Sequence, residues 1–196
     1  MDNIVLSWFT IFFSAIFTQN VLLTYYLGMC PFLGASREVK TAAGLGTAVT
    51  LVMACTTALN WLVYYYILIP LNLEYLRFII FIIVIAAFVQ IAEIVIERIS
   101  EKLYLALGIF LPLITVNCAI LGVCLFMVIR EYTFVTTCFY GVGSGLGWML
   151  AILAMAGIRQ KMVKSKVPGP LAGAGISLII AGIMAISFMG LAGVIK

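Results

Sequence analysis

Long apolar runs, separated by short polar or proline-bearing intervals, follow one another from end to end of the chain. A membrane-spanning helix needs about 20 mostly apolar residues, and it must satisfy its own backbone because lipid offers no hydrogen-bond partners. Six runs meet that need, at roughly 4–29, 42–69, 75–96, 103–129, 133–158 and 171–195. They are parted by Pro31 to Lys40, by Pro70-Leu71-Asn72, by the charges from Glu97 to Lys102, by Arg130-Glu131, and by the basic stretch from Arg159 to Pro170. No interval has room for a water-soluble domain. The expected fold class is therefore an all-α membrane protein, a single integral membrane domain over residues 1–196. The first run opens Met-Asp-Asn without a basic lead and is too long for a signal-peptide core, so it reads as the first span.

Composition strengthens this picture. With 65% hydrophobic and 9% charged residues in a chain of 196, there is more apolar surface than a soluble globule of this size could hide. Histidine is absent and Asp2 is the only aspartate, which removes the usual general base, the usual nitrogen metal ligand and most carboxylate pairs. A net charge of +4 spread over short loops gives no reason to expect nucleic acid as a partner. The basic residues are unevenly placed. Arg37, Lys40, Arg98, Lys102, Arg159, Lys161, Lys164 and Lys166 fall in alternate connections, against Arg77, Arg130 and Lys196 on the other side. The positive-inside rule then places the first set of connections in the cytoplasm and both termini outside.

The halves, about 1–99 and 100–196, echo each other. Thr18-Gln19-Asn20 in the first run recurs as Thr115-Val116-Asn117 in the fourth, and Gly44-Leu45-Gly46 recurs as Gly145-Leu146-Gly147. Three spans per half force the second half to enter from the opposite side, which predicts two inverted three-helix repeats with a working site near the midplane. Spans 1 and 4 should be broken helices. Asn20, Gly28, Pro31 and Gly34 interrupt the first, and Pro112, Thr115, Asn117 and Gly122 interrupt the fourth. Such breaks belong where freed backbone is buried in protein or lines a cavity.

Five cysteines argue against a disulfide framework. Cys55, Cys124 and Cys138 lie among apolar residues at helical positions and read as small core side chains. Cys30 and Cys118 each follow a helix-breaking neighbourhood whose freed N–H groups can stabilise a thiolate or bond to cluster sulfurs. From the residues alone, two readings of this pair stand: inert thiols, or half the four-cysteine ligand set of an iron–sulfur cluster completed by a second chain.

The stretch from Leu27 to Gly34 (LGMCPFLG) and that from Leu107 to Ala119 (LGIFLPLITVNCA) resemble the paired signatures of a redox-pump family. Its members include the A-type subunit of the Rnf ion-translocating oxidoreductase complex and the E-type subunit of the Na⁺-translocating NADH:quinone reductase, Nqr. The resemblance extends over the whole chain, through Val167-Pro168 to the ending Ser187–Gly193. Cys30–Gly34 and the short linker Ile69–Leu76 resemble the Rnf subunit, whereas Thr115–Ile120 and Gly143–Ile152 look more like the Nqr subunit. An Rnf-type ferredoxin:NAD⁺ oxidoreductase is thus the first expectation, with Nqr as the alternative. The resemblance implies a [2Fe-2S] cluster within the membrane, shared with a homologous partner of inverted topology, an Rnf E-type or Nqr D-type subunit. Cys30 and Cys118 would be this chain's ligands. It further implies flavins on other subunits, and Na⁺ or H⁺ as the transported ion. The chain alone would then hold no complete active site, only part of a redox-driven translocase.

A relay of this kind suggests cation uptake beside the reduced centre, since an opposite charge is strongly attracted there in a low-dielectric setting. Asn20, Thr115 and Asn117, with Thr18 and Gln19, are the oxygen-bearing candidates for an ion pathway, although capping the broken helices is their simpler use. Glu93, near Gln90 in the third run, is a further candidate, since carboxylates in a span are costly; it also lies close enough to the cytoplasmic end to reach interfacial water. Gly44, Gly46, Gly141, Gly143, Gly145 and Gly147 fit close helix approach. Trp8, Trp61, Tyr64, Tyr65, Tyr66, Tyr132 and Tyr140 read as an interfacial belt. A non-redox secondary transporter or channel subunit would account for the same topology and breaks, but would not require iron.

Overall fold

The computed structural model describes residues 2–99, 111–162 and 173–194, and every regular element among them is helical. The first apolar run folds as three pieces: α1 (Asp2–Ile16), α2 (Val21–Tyr25) and α3 (Met29–Ala35). The second is α4 (Val39–Val63), prolonged by a π-helical turn over Tyr64–Leu68. A 3-10 turn, Glu74–Leu76, leads into α5 (Arg77–Ile99). The fourth run holds α6 (Leu111–Thr115) and α7 (Cys118–Ile129), the fifth α8 (Phe134–Met162) and the sixth α9 (Ala174–Val194). Among the described residues four stretches, Val39–Leu68, Glu74–Val95, Pro112–Ile129 and Phe134–Met162, are long and apolar enough to cross a membrane. Residues 103–110 of the fourth run, and Lys164, Lys166 and Pro170 of the basic interval, lie outside the described residues.

Antiparallel α4 and α8 form the centre, with α1 packed on α8 and α7 on α4. Glycines set their spacing. A Cβ on Gly145 would stand 2.7 Å from Thr50 Cα, and one on Gly46 would stand 2.7 Å from Met149 Cγ. Steps along α4 are matched by equal steps back along α8, so Gly141 meets Ala54 and Thr57. Gly143 and Gly147 let the α1 backbone come equally close, a Cβ there lying 3.0 Å from the carbonyls of Phe12 and of Ala15 and Ile16. Backbone-on-backbone packing of this kind drives helix association where lipid is as apolar as the core. Gly44 departs from the expectation, because among the described residues nothing lies within 4 Å of the position its Cβ would take. Helix α5 is peripheral: Phe81, Ile85 and Val89 form its one buried stripe, while Ile79, Ile82, Ile83, Ile91 and Ile94 are exposed.

Two arginines bolt the broken first run to the second half. Arg159 in α8 donates from Nη1 to the Leu33 carbonyl at 2.9 Å and to Ser36 Oγ at 2.7 Å, and from Nη2 to Ser177 Oγ in α9 at 2.6 Å. At the opposite end Arg130, which caps α7, donates to Gln19 Oε1, to Tyr132 Oη at 3.1 Å and to Tyr25 Oη at 3.3 Å. Its guanidinium also lies over the rings of Phe126 and Tyr140, 5.8 Å from each centroid. Burial pulls the Arg130 pKa down, but the hydrogen bond to Tyr132 and the surrounding tyrosines outweigh it and leave it above the ordinary value. Arg159→Ala is expected to destabilise the protein by about 1–3 kcal/mol by stranding the buried Ser36 hydroxyl. Arg159→Lys should restore only part of this, because an ammonium lacks the fork that reaches α3 and α9 together. Thermal unfolding of the purified complex reads both.

Candidate functional site

The two breaks meet. In the first run, α2 ends at Tyr26 in the left-handed region (φ 55°), Gly28 follows at φ 81°, and α3 starts at Met29. In the fourth, Val116 and Asn117 part α6 from α7. The Gly28 N–H donates to Cys118 Sγ at 3.0 Å, joining positions 90 residues apart. A Cβ on Gly28 would lie 2.7 Å from Trp148 Nε1, 2.9 Å from Asn117 Oδ1 and 3.0 Å from the Ala119 Cβ. Only glycine suits that backbone angle and that space.

Each break is closed by an asparagine. Asn20 Oδ1 caps α2 by accepting from the N–H groups of Leu22 (3.1 Å) and Leu23 (3.4 Å), while its Nδ2 donates to the carbonyls of Ile16 (3.0 Å) and Gly147 (2.7 Å). Asn117 Oδ1 caps α7 by accepting from Ala119 N–H at 3.0 Å. Both side chains are buried, so their polar atoms face protein. The simpler of the two uses foreseen for them is the one observed. Asn20→Ala should cost about 1–2 kcal/mol through loss of the cap. Asn20→Asp keeps the cap acceptor but turns a second oxygen onto the carbonyls of Ile16 and Gly147 that Nδ2 had bonded, so a denaturation curve should show at least as large a loss.

Pro31 does not make the break. It occupies the first turn of α3, where a helix has no intrahelical use for the missing N–H, and the chain turns earlier, at Tyr26–Gly28. Cys30, in the same turn, and Cys118, the first residue of α7, are both exposed. Cys118 opens onto a cleft of about 300 Å³, lined by Ile82, Ile85 and Ala86 of α5 and by Thr115, Val116, Asn117 and Leu121. The other three thiols are not exposed; Cys124 is fully buried and accepts from Asn60 Nδ2 at 3.2 Å. Among the described residues no group of three or more His, Cys, Asp or Glu side chains is placed to hold a metal ion. The donor set at the breaks is thus a pair of thiols, one sulfur already accepting a backbone N–H. That chemistry suits half of a four-thiolate site.

The remaining candidates lie apart from this pair. Thr18 shares a hydrogen bond with Ser14 at 2.7 Å, and Gln19 is taken up by Arg130. Glu93 is half-buried, two turns of α5 beyond Ala86 and outside the lining of the cleft, and Gln90 is exposed. Tyr64 and Tyr140 do not join an interfacial belt: both are buried, Tyr140 to 1% exposure. Sequence reasoning missed Trp148 and Arg130 as neighbours of the breaks. Neither carries a local signal, since each reaches its place through contacts more than 100 residues away.

Comparison with known proteins gives the family of the chain. The family described as "Rnf-Nqr subunit, membrane protein" matches residues 8–195. The chain belongs to the Rnf-Nqr family. It is 52% identical over 183 residues to the A-type subunit of the Na⁺-translocating ferredoxin:NAD⁺ oxidoreductase complex of Acetobacterium woodii, covering 93% of this chain and 95% of that one. It is also 54% identical over 186 residues to the E-type subunit of the Na⁺-translocating NADH-quinone reductase of Aeromonas hydrophila subsp. hydrophila, covering 92% and 94%. With the E-type reductase subunit of Chlamydia trachomatis serovar D the identity is 49% over 205 aligned positions, covering 98% and 84%. Members of both complexes thus stand equally near this Rnf-Nqr chain, which is an all-α membrane protein as its apolar runs require.

Proposed function

We propose that this chain is the electron-relay subunit of a redox-driven Na⁺ translocase of the Rnf or Nqr kind, and that Cys30 and Cys118 are its two ligands to a [2Fe-2S] cluster shared with a homologous membrane subunit of inverted topology. The observation that carries the reading is the contact between the breaks, where Gly28 N–H meets Cys118 Sγ two residues before Cys30. When bound, such a cluster accepts and releases an electron within the hydrocarbon layer. The chain's own residues do the rest. Asn20 and Asn117 hold the two breaks open by capping the helices that follow, and Gly28 donates its N–H to the Cys118 sulfur and so orients it. Both cysteines stand exposed, as ligands to be completed by another chain must be.

Support for the complex comes from the relatives' names, which describe Na⁺-translocating oxidoreductases of both types. The Rnf assignment rests on the short linker Ile69–Leu76 and the Cys30–Gly34 segment. The location in a prokaryotic inner membrane rests on the resemblance to Rnf and Nqr subunits, and the orientation with both termini outside rests on the Lys/Arg distribution. The deciding experiment is iron and acid-labile sulfide content, with electron paramagnetic resonance, on this chain co-purified with its membrane partner. A reducible [2Fe-2S] signal is expected; a pair free of iron and sulfide would refute the proposal. The same preparation tests the ion pathway. The cluster midpoint in Asn117→Ala should keep its response to Na⁺ if that amide serves only as a cap.

A further inference from the structure

Arg130 carries a charge that no carboxylate among the described residues neutralises. Its guanidinium is half-buried, and its hydrogen bonds and ring contacts all go to neutral groups: Gln19 Oε1, the hydroxyls of Tyr25 and Tyr132, and the rings of Phe126 and Tyr140. Glu131 follows it in the chain but is exposed, and acts instead on Tyr64. A guanidinium stays protonated at physiological pH, so one that has lost part of its water gains from an anion beside it.

Part of the guanidinium is uncommitted. Nη1 donates to Gln19 and Tyr132 and Nη2 to Tyr25, which leaves Nε–H and the second N–H of Nη2 without a partner among the described residues. These two nitrogens form the edge that matches a phosphate or carboxylate. Arg130 also lines a pocket of about 120 Å³, together with Thr10 and Ser14 of α1 and with Gln19, Tyr132 and Tyr140. Tyr132 Oη accepts from Arg130 and so keeps its own hydrogen to donate.

Two placements point to the source of the anion. Arg130 caps α7 at the end of an apolar span, which is headgroup depth, on the side that the Lys/Arg distribution assigns to the outside. Along α1, Phe9, Phe13 and Phe17 stand exposed at intervals of four residues, about 100° round the helix from Thr10 and Ser14. A cationic, polar hollow thus adjoins an apolar stripe, the same division that a phospholipid has between head and tails. We propose that Arg130, with Tyr132, holds the phosphate of an anionic phospholipid of the outer leaflet, whose acyl chains lie along the phenyl rings of α1. Arg130 also brackets α2, taking Gln19 just before its start and Tyr25 at its end. Bound lipid therefore steadies the broken run that carries Cys30. That consequence bears on the relay reading above; the lipid site itself does not depend on it.

Photolabelling of the intact complex in phosphatidylcholine proteoliposomes tests the site, with a trace of phosphatidylglycerol carrying a diazirine on its acyl chain as the probe. The α1 peptide holding Phe9 to Phe17 should be labelled, and unlabelled phosphatidylglycerol should reduce that label several-fold more than the same amount of added phosphatidylcholine. An unlabelled α1 peptide, or equal reduction by the two lipids, overturns the proposal. Millimolar inorganic phosphate should leave the label in place; if it removes the label, the hollow takes the free anion and the lipid assignment fails. A second arm uses Arg130→Gln, which keeps hydrogen-bonding groups but removes the charge, and Arg130→Lys, which keeps the charge. Arg130→Gln should lose the preference for phosphatidylglycerol and Arg130→Lys should retain most of it. An undiminished preference in Arg130→Gln also overturns the proposal. Should Arg130→Gln fail to assemble, the competition in the parent complex decides. Each outcome holds whether or not the complex carries a cluster.

Discussion

Complexes carrying Cys118→Ser or Cys30→Ser are expected to assemble, to lose the [2Fe-2S] signal, and to fall more than ~100-fold in coupled electron transfer, the upper end of what loss of a supporting residue costs a metal site. The basis for intact assembly is local. Both thiols are exposed, so the replacement opens no core cavity, and a serine hydroxyl at position 118 can still accept the Gly28 N–H. What is lost is the soft, readily ionised sulfur that iron in a cluster requires. Cys124→Ser is the matched control: its sulfur is buried against Asn60, away from the breaks, and its complexes should keep the signal. Iron content and paramagnetic spectra of the three purified variants check this. Undiminished spectra in both the Cys30 and Cys118 variants would end the relay account.

Gly28→Ala should be the most damaging substitution that leaves every cysteine in place. The φ of 81° costs an L-residue about 1–2 kcal/mol, and a methyl driven to 2.7 Å from Trp148 Nε1 adds about 1–3 kcal/mol of overpacking. Relief requires the α2–α3 turn to move away from Asn117 and Ala119, and with it the N–H that Cys118 accepts. The complex is therefore expected to unfold at a lower temperature and to hold less iron, both together. Gly157→Ala, in α8 with nothing within 4 Å of its Cβ position, should leave iron content untouched and stabilise the helix slightly. Equal behaviour of the two variants would contradict this account of the turn.

Much of this arrangement was legible because polar and helix-breaking residues are conspicuous in an apolar run. Asn20 and Asn117 announced the breaks, and both prove to cap the helix that follows. Cys30 and Cys118 stood apart from the other thiols by the same neighbourhoods. The seam glycines were legible as well, apart from Gly44, where among the described residues nothing lies within 4 Å of its Cβ position. The failures share a cause. In a membrane the core and the surroundings are equally apolar, so periodicity does not say which face turns inward. Tyr140 read as an interfacial ring for that reason, yet it is buried between Arg130 and Ser144. Pro31 was overread as a breaker because its effect depends on where the helix starts, and three residues sooner or later reverses its meaning. The pairing of Gly28 with Cys118, and of Arg159 with Leu33 and Ser36, is long-range and leaves no local trace.

Helices α2 and α3 have five and seven residues, too few to persist alone. What fixes them comes from far along the chain: the Gly147 carbonyl for Asn20, Cys118 for Gly28, and Arg159 for Leu33 and Ser36. During synthesis, the segment carrying Cys30 leaves the ribosome well before any of those anchors exists. It must wait, unfinished, until α8 has been inserted. On the proposed ligand set, iron delivered any earlier would find one sulfur on an unshaped stretch, so metallation would follow insertion of α8.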